Sequence, residues 1–335
     1  MKAAVFNGQD IFIKEIPIPE LGASQVLIRI KASGICGTDL AIVKGYLPTP
    51  TPLILGHEFA GEIVKVGEKV NHNWLGKRVT SEINSNIDFK CYYCQREIFT
   101  QCISRKALGI DINGSFAEYI TVESYLLHEI PNNISYKEAT FIEPLAAAYQ
   151  TFEMMPLEDE DRIIAIFGLG KLGLLLTQVA LINGLEVIGI DHSDRKLNLA
   201  KNFGAKHLIK NVEDESVVVR IKSITGNLGA DIVVDTTGNP NALKEIVSSC
   251  RSRGKVHIKS THGLETPINL TDIVVREITL YSSRCGPFDK AIKALSTGVV
   301  QVNQLISKEY PLDNIKEAFN SYEKYQDHIK IIILI

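Results

Sequence analysis

Over the first 135 residues the apolar positions recur with the period of a strand. Val26, Ile28, Ile30 and Ala32 alternate with Leu27, Arg29 and Lys31, and similar short runs cover 61–66, 78–82 and 116–122. The chain also opens strand-like, at Met1–Phe6, with no signal-peptide pattern. Turn-forming stretches such as Gly45-Tyr46-Leu47-Pro48-Thr49-Pro50-Thr51-Pro52 separate the runs. From Tyr136 the rhythm changes. A helix is expected over 138–154, a short apolar strand over 163–167 and a helix over 172–183. A strand over 186–190 and a helix over 194–203, capped by Ser193 or Asp194, come next. Further strands are expected at 231–234, 255–259 and 278–281, helices near 287–295 and 312–322, and a closing strand over 331–335. This alternation predicts the α/β class, with a doubly wound parallel sheet beside a β-rich domain. The expected division is 1–148, 149–283 for the parallel-sheet domain, and a return to the first domain over 284–335.

Composition narrows the class. The 335 residues are 45% hydrophobic and 22% charged, with a net charge of −3 and no basic block. That argues against nucleic acid or an anionic membrane as partner. The greasiest stretch, 163–185, contains Lys171, Gln178, Asn183 and several glycines, so it reads as strand–turn–helix and not as a membrane span. Six cysteines are few for a disulfide scaffold of this length, and three of them cluster at metal-like spacing, which favours a reducing, cytoplasmic setting.

The candidate chemistry lies in two places. Cys36-Gly37-Thr38-Asp39 is followed, twenty-one residues after the cysteine, by Gly56-His57-Glu58, and a further carboxylate stands at Glu143. Thiolate, imidazole and carboxylate are the donors of a catalytic zinc site that keeps one position open. Downstream, Gly168-Leu169-Gly170-Lys171-Leu172-Gly173 follows an expected strand and opens an expected helix, the context that turns GxGxxG into a dinucleotide site. Asp191 ends the next strand, 18 residues past Gly173, where a carboxylate accepts ribose hydroxyls and repels a 2′-phosphate, favouring NAD over NADP. Arg195 lies nearby. A second cysteine cluster reads Cys91-x2-Cys94-x7-Cys102.

Residues 56–67, Gly-His-Glu-Phe-Ala-Gly-Glu-Ile-Val-Lys-Val-Gly, match the GHExxG signature of zinc alcohol dehydrogenases in the medium-chain dehydrogenase/reductase superfamily. Residues 33–40 resemble that family's first ligand segment, and Phe141-Ile142-Glu143-Pro144-Leu145 resembles its polyol, sorbitol and threonine dehydrogenase branch. The resemblance spans essentially the whole chain. It implies a GroES-like catalytic domain with a Rossmann domain, and oxidation of a secondary alcohol (a polyol, sugar alcohol or related hydroxy compound) by hydride transfer to NAD. It further implies Cys36 and His57 as zinc ligands, Glu58 and Glu143 sharing the remaining positions directly or through water, and Asp39 orienting the His57 ring. Thr38 would take the substrate proton, and Arg284 would approach the cofactor or substrate. The family's structural zinc lobe has four cysteines; counting back from Cys91 places Asp88 first, so Asp88, Cys91, Cys94 and Cys102 form a candidate second zinc site, with Glu97 in competition. Many members carry histidine five residues after the ligand cysteine to end the proton relay, where this chain has Ala41. A small-molecule alcohol partner and a homodimer or homotetramer are implied. The competing expectations are a zinc-free quinone reductase, which normally lacks the Cys36–His57 pair, and a non-catalytic nucleotide-binding or structural member of the fold.

Overall fold

The structure, a computed structural model, describes residues 1–212 and 216–335. The chain forms two compact units: Met1–Glu143 with Phe288–Ile335, and Pro144–Pro287. Among the described residues no helix is long and apolar enough to cross a membrane.

The first unit is organised by the strand Gln25–Gly34. It pairs antiparallel with Glu58–Val66 on one side, and on the other with Tyr119–Glu123 and, through its last residues, with Lys330–Leu334. Val26, Ile28 and Ile30 are buried with Phe59, Ile63, Val79, Ile120 and Val122, while Arg29 is exposed, as the period of two requires. Each such side chain removed from water contributes about 1.5–3 kcal/mol. The pairing also brings distant residues to one sheet position. Gly34 stands opposite Glu58 on one side and Ile332 on the other, so the strand that leads into Cys36 is flanked by the start of the Glu58 strand and by the C-terminal strand.

The second unit carries a parallel sheet of β1 (Ile163–Phe167), β2 (Glu186–Asp191), β3 (His207–Lys210), β4 (Ala230–Asp235), β5 (Cys250–Ile258) and β6 (Thr279–Ser282). Its spatial order is β3-β2-β1-β4-β5-β6, the doubly wound arrangement with its switch point between β1 and β4. The strands are near-continuous apolar runs because helices cover them: Ile164, Ala165, Ile166, Val187, Ile188, Ile232 and Val233 are all fully buried.

Several elements differ from the expectations. The helix expected over 138–154 is two helices, Tyr136–Ala139 and Ile142–Met154. The break follows from Pro144, which has no N–H to return to the carbonyl of Thr140. That oxygen instead accepts from Lys330 Nζ at 3.1 Å. Ser135 begins the first helix with a reciprocal cap, its hydroxyl accepting from Glu138 N at 3.2 Å while the Glu138 carboxylate accepts from Ser135 N at 2.8 Å. Cys250 terminates the helix Leu243–Ser249 and opens β5, where it is fully buried. The strand β3 and the helices Val217–Ile224 and Leu270–Val275 went unanticipated, being too short for their periodicity to stand out.

Candidate active site

The strand Gln25–Gly34 delivers Cys36 to the start of a short helix, Gly37–Val43. Asp39 does two jobs there. Its Oδ2 accepts the Cys36 N–H at 2.8 Å, capping the helix. Its Oδ1 accepts the Gly56 N–H at 3.1 Å and lies 3.6 Å from His57 Nδ1. Gly56 has φ +91°, and a Cβ on it would meet Ser115 and Phe116, so glycine alone fits this turn into His57. The result is one cluster in which ligand atoms of Cys36, His57 and Glu58 all lie within 4.8 Å of one another. The Thr38 hydroxyl is 3.8 Å from Cys36 Sγ.

Glu58 does not face the cluster alone. Its Oε2 is ion-paired with Lys330 Nζ, and both side chains are fully buried. The Lys330 ammonium also lies 5.0 Å from the centre of the Phe141 ring, a cation–π contact. Gly34 makes room for the pair: a Cβ on it would strike the end of the Lys330 side chain and crowd Glu58 Oε2. Glu143 is half-buried and stands outside the three-residue cluster, yet its charge acts on His57. Burial opposes a charge on His57, but Asp39, then Cys36 and Glu143, outweigh it and raise the imidazole to about 10. Burial likewise raises Asp39, with His57 pulling it back. A divalent cation answers this excess of acidic groups. With Nδ1 turned to Asp39, Nε2 remains for a metal, and the ring proton would then sit on Nδ1, which is buried without a hydrogen bond. Sulfur, nitrogen and oxygen donors at this spacing fit zinc.

Asp88, Cys91, Cys94 and Cys102 form the second cluster within the same 4.8 Å limit, and Glu97 is not part of it. Asp88 Oδ1 accepts the N–H groups of Lys90 and Cys91, each at 2.9 Å, and these bonds hold the carboxyl well below its ordinary range. Cys91 and Cys94 place their sulfurs 3.5 Å apart, and burial pushes the Cys94 thiol up to about 12. Three thiols and an ionised carboxylate also fit zinc.

In the second unit the glycine turn follows β1. Gly168 has φ +87°, and its carbonyl lies where a Cβ on Gly173 would fall, so both glycines are required by close packing. Thr236 closes the turn from β4, donating its hydroxyl to the carbonyls of Phe167 at 2.9 Å and Gly168 at 2.6 Å. Gly170 caps the helix Lys171–Ile182 and has nothing within 4 Å of where a Cβ would sit, leaving its backbone open to a phosphate. Lys171 and Leu172 are half-buried at the same helix start. Asp191 ends β2, accepting from Leu169 N at 2.7 Å and Ser193 N at 2.9 Å. Arg195 and Arg284 are exposed, the latter just past β6. These residues fit a dinucleotide.

Two residues of consequence escaped the sequence reading. Lys330 carried one usable signal, a lone charge inside an otherwise apolar terminal strand. Lys259, buried at the end of β5, carried none.

Comparison with known proteins shows the family. Residues 22–132 match the alcohol dehydrogenase GroES-like domain, and residues 172–298 match the zinc-binding dehydrogenase domain. A D-arabitol-phosphate dehydrogenase of Enterococcus avium is 34% identical over 95% of this chain and 92% of its own length. A sorbitol dehydrogenase of Bacillus subtilis (strain 168) is 32% identical over 99% and 97%. A zinc-binding dehydrogenase from Sinorhizobium meliloti 1021, solved bound to NADP, superposes with a TM-score of 0.91 at 28% identity, covering 100% of this chain and 99% of that one. The chain belongs to the zinc-dependent alcohol dehydrogenase-like family of medium-chain dehydrogenases/reductases.

Proposed function

We propose that the protein oxidises a secondary hydroxyl of a polyol or polyol phosphate to a ketone, passing hydride to NAD. The observation that carries this reading is the convergence of Cys36, His57 and Glu58 in a family whose relatives include an arabitol-phosphate and a sorbitol dehydrogenase. When bound there, zinc supplies a Lewis acid that lowers the pKa of an alcohol hydroxyl toward neutrality. Cys36 and His57 would hold the metal, Asp39 would fix the imidazole, and Glu58, paired with Lys330, is the further carboxylate of the cluster. The Thr38 hydroxyl receives the substrate proton. Ala41 offers no onward acceptor, so the proton leaves through cofactor hydroxyls, water or a carboxylate.

Asp191 accepts the adenosine ribose and selects NAD. Asp88, Cys91, Cys94 and Cys102 hold a structural zinc. Assembly as a dimer or tetramer belongs to the same reading, as does a cytoplasmic setting. The test is NADH production from metal-replete protein against arabitol, sorbitol and their phosphates, with metal analysis alongside. Turnover that disappears on chelation and in Cys36→Ser supports the reading. Absence of zinc from the Cys36–His57 cluster overturns it.

A further inference from the structure

The second unit buries a lysine that the chemistry above does not use. Lys259 directly follows β5, its N–H continuing the sheet ladder to Asp235 O at 3.0 Å, and only 8% of the residue is exposed. Its ammonium joins three segments. It donates to Ala147 O at 2.8 Å on the helix Ile142–Met154, and to Ser283 O at 3.1 Å and Ser283 Oγ at 2.8 Å just past β6.

A histidine lies beside it on the same strand. His257 is fully buried on the same strand, with Nε2 2.9 Å from Ser283 Oγ. Burial, and then the Lys259 charge, lower its imidazole to about 3, so it stays neutral. The Ser283 hydroxyl, receiving a proton from Lys259, is thus free to give its own to His257. The chain Lys259–Ser283–His257 holds the ammonium in place.

The topology sets which half of the sheet this strand end belongs to. A doubly wound sheet is two mononucleotide-binding halves, and ligands lie beyond the carboxyl ends of the strands at the switch point. In the half β1–β3, Asp191 ends β2 and serves the adenosine. In the half β4–β6, the corresponding strand is β5, and the residue after its end is Lys259. That half serves the nicotinamide nucleotide, whose ring carries one positive charge when oxidised and none when reduced.

We propose that Lys259 sets the redox preference of the cofactor site: its buried charge disfavours the pyridinium of NAD and favours neutral NADH. The inference rests on the dinucleotide reading above. One fixed charge in a protein interior amounts to roughly tenfold in such a ratio. The binding step then favours the state that has accepted hydride.

The experiment measures dissociation constants for NADH by fluorescence and for NAD by calorimetry, in the absence of substrate. It compares the unaltered protein, Lys259→Met and Lys259→Arg, each checked for an intact melting transition. The expected result is NADH binding tighter than NAD, a ratio of the two constants that shrinks about tenfold in Lys259→Met, and retention of that ratio in Lys259→Arg. If Lys259→Met weakens both forms equally, the lysine is only a brace for Ser283 and Ala147 and the proposal is overturned. If the methionine variant does not fold, Lys259→Arg decides: a ratio that collapses despite the retained charge overturns it. Failure of the unaltered protein to bind either nucleotide overturns the dehydrogenase reading itself and is recognisable as such.

Discussion

The ammonium of Lys330 is bonded to the carboxylate of Glu58 from 272 positions along the chain, and neither side chain reaches solvent. A buried pair of this kind is costly to form but costlier to break, because removing one partner strands the other charge. Lys330→Met should therefore destabilise the zinc-free protein by about 3–5 kcal/mol. Zinc changes the outcome, since Glu58 can then find its counter-charge in the metal. Urea unfolding with and without zinc checks this. A variant whose loss of stability is the same in both conditions would show that Glu58 does not turn to the metal.

His257 predicts an acid-sensitive step in stability. Its ordinary value is 6.5 and its folded value is about 3, so below 6.5 the unfolded chain takes up a proton that the folded protein refuses. Stability from this group is therefore level above pH 6.5, declines as the pH falls below it, and flattens again near 3. Between pH 7 and pH 5 the unaltered protein should lose about 2 kcal/mol more than His257→Phe, whose ring can still stack on Tyr281. Equal losses in the two proteins would place the acid sensitivity elsewhere.

The cysteine lobe predicts a separable metal. Cys94 is 6% exposed and central to the second cluster. Cys94→Ser should lower the zinc content by one ion per chain and the melting temperature by several degrees, because structural metal binding is folding free energy. NADH production with the remaining zinc should persist below that temperature. A melting curve unchanged by the substitution, with no loss of zinc, would mean the lobe folds without metal.

The elements carrying Cys36 and His57 were legible because each lies in a short, self-contained motif, and the glycine turn was legible because a strand and a helix flank it. The parallel sheet followed from its alternation with helices. What the sequence hid depends on pairing between distant strands. Nothing near Glu58 announces Lys330; only the register that sets Gly34 against both Glu58 and Ile332 brings the two together. The split of the helix expected over 138–154 has a local cause in Pro144, and only its consequence is distant, since the freed carbonyl of Thr140 accepts from Lys330. Lys259 reads as an ordinary polar strand end until the sheet order places it opposite the role of Asp191.

Asp191 gives the last prediction, on cofactor choice. Its two oxygens already accept the N–H groups of Leu169 and Ser193, which hold the carboxylate rigid at the end of β2. A ribose diol donating to the same carboxylate forms hydrogen bonds to a charged acceptor, each worth about 1.5–3 kcal/mol. A 2′-phosphate there would meet like charge instead. Asp191→Asn removes the charge and keeps an oxygen for Leu169 N, but sets its amide NH2 against the Ser193 N–H, so a melting curve taken alongside separates electrostatic selection from loop geometry. The expected result is a fall in kcat/KM for NAD of roughly tenfold or more and a clear rise in the ratio of NADP to NAD use. Steady-state kinetics with both nucleotides decides it. Equal use of NADP and NAD by the unaltered protein would mean that Asp191 does not select between them and serves only as a brace for the glycine turn.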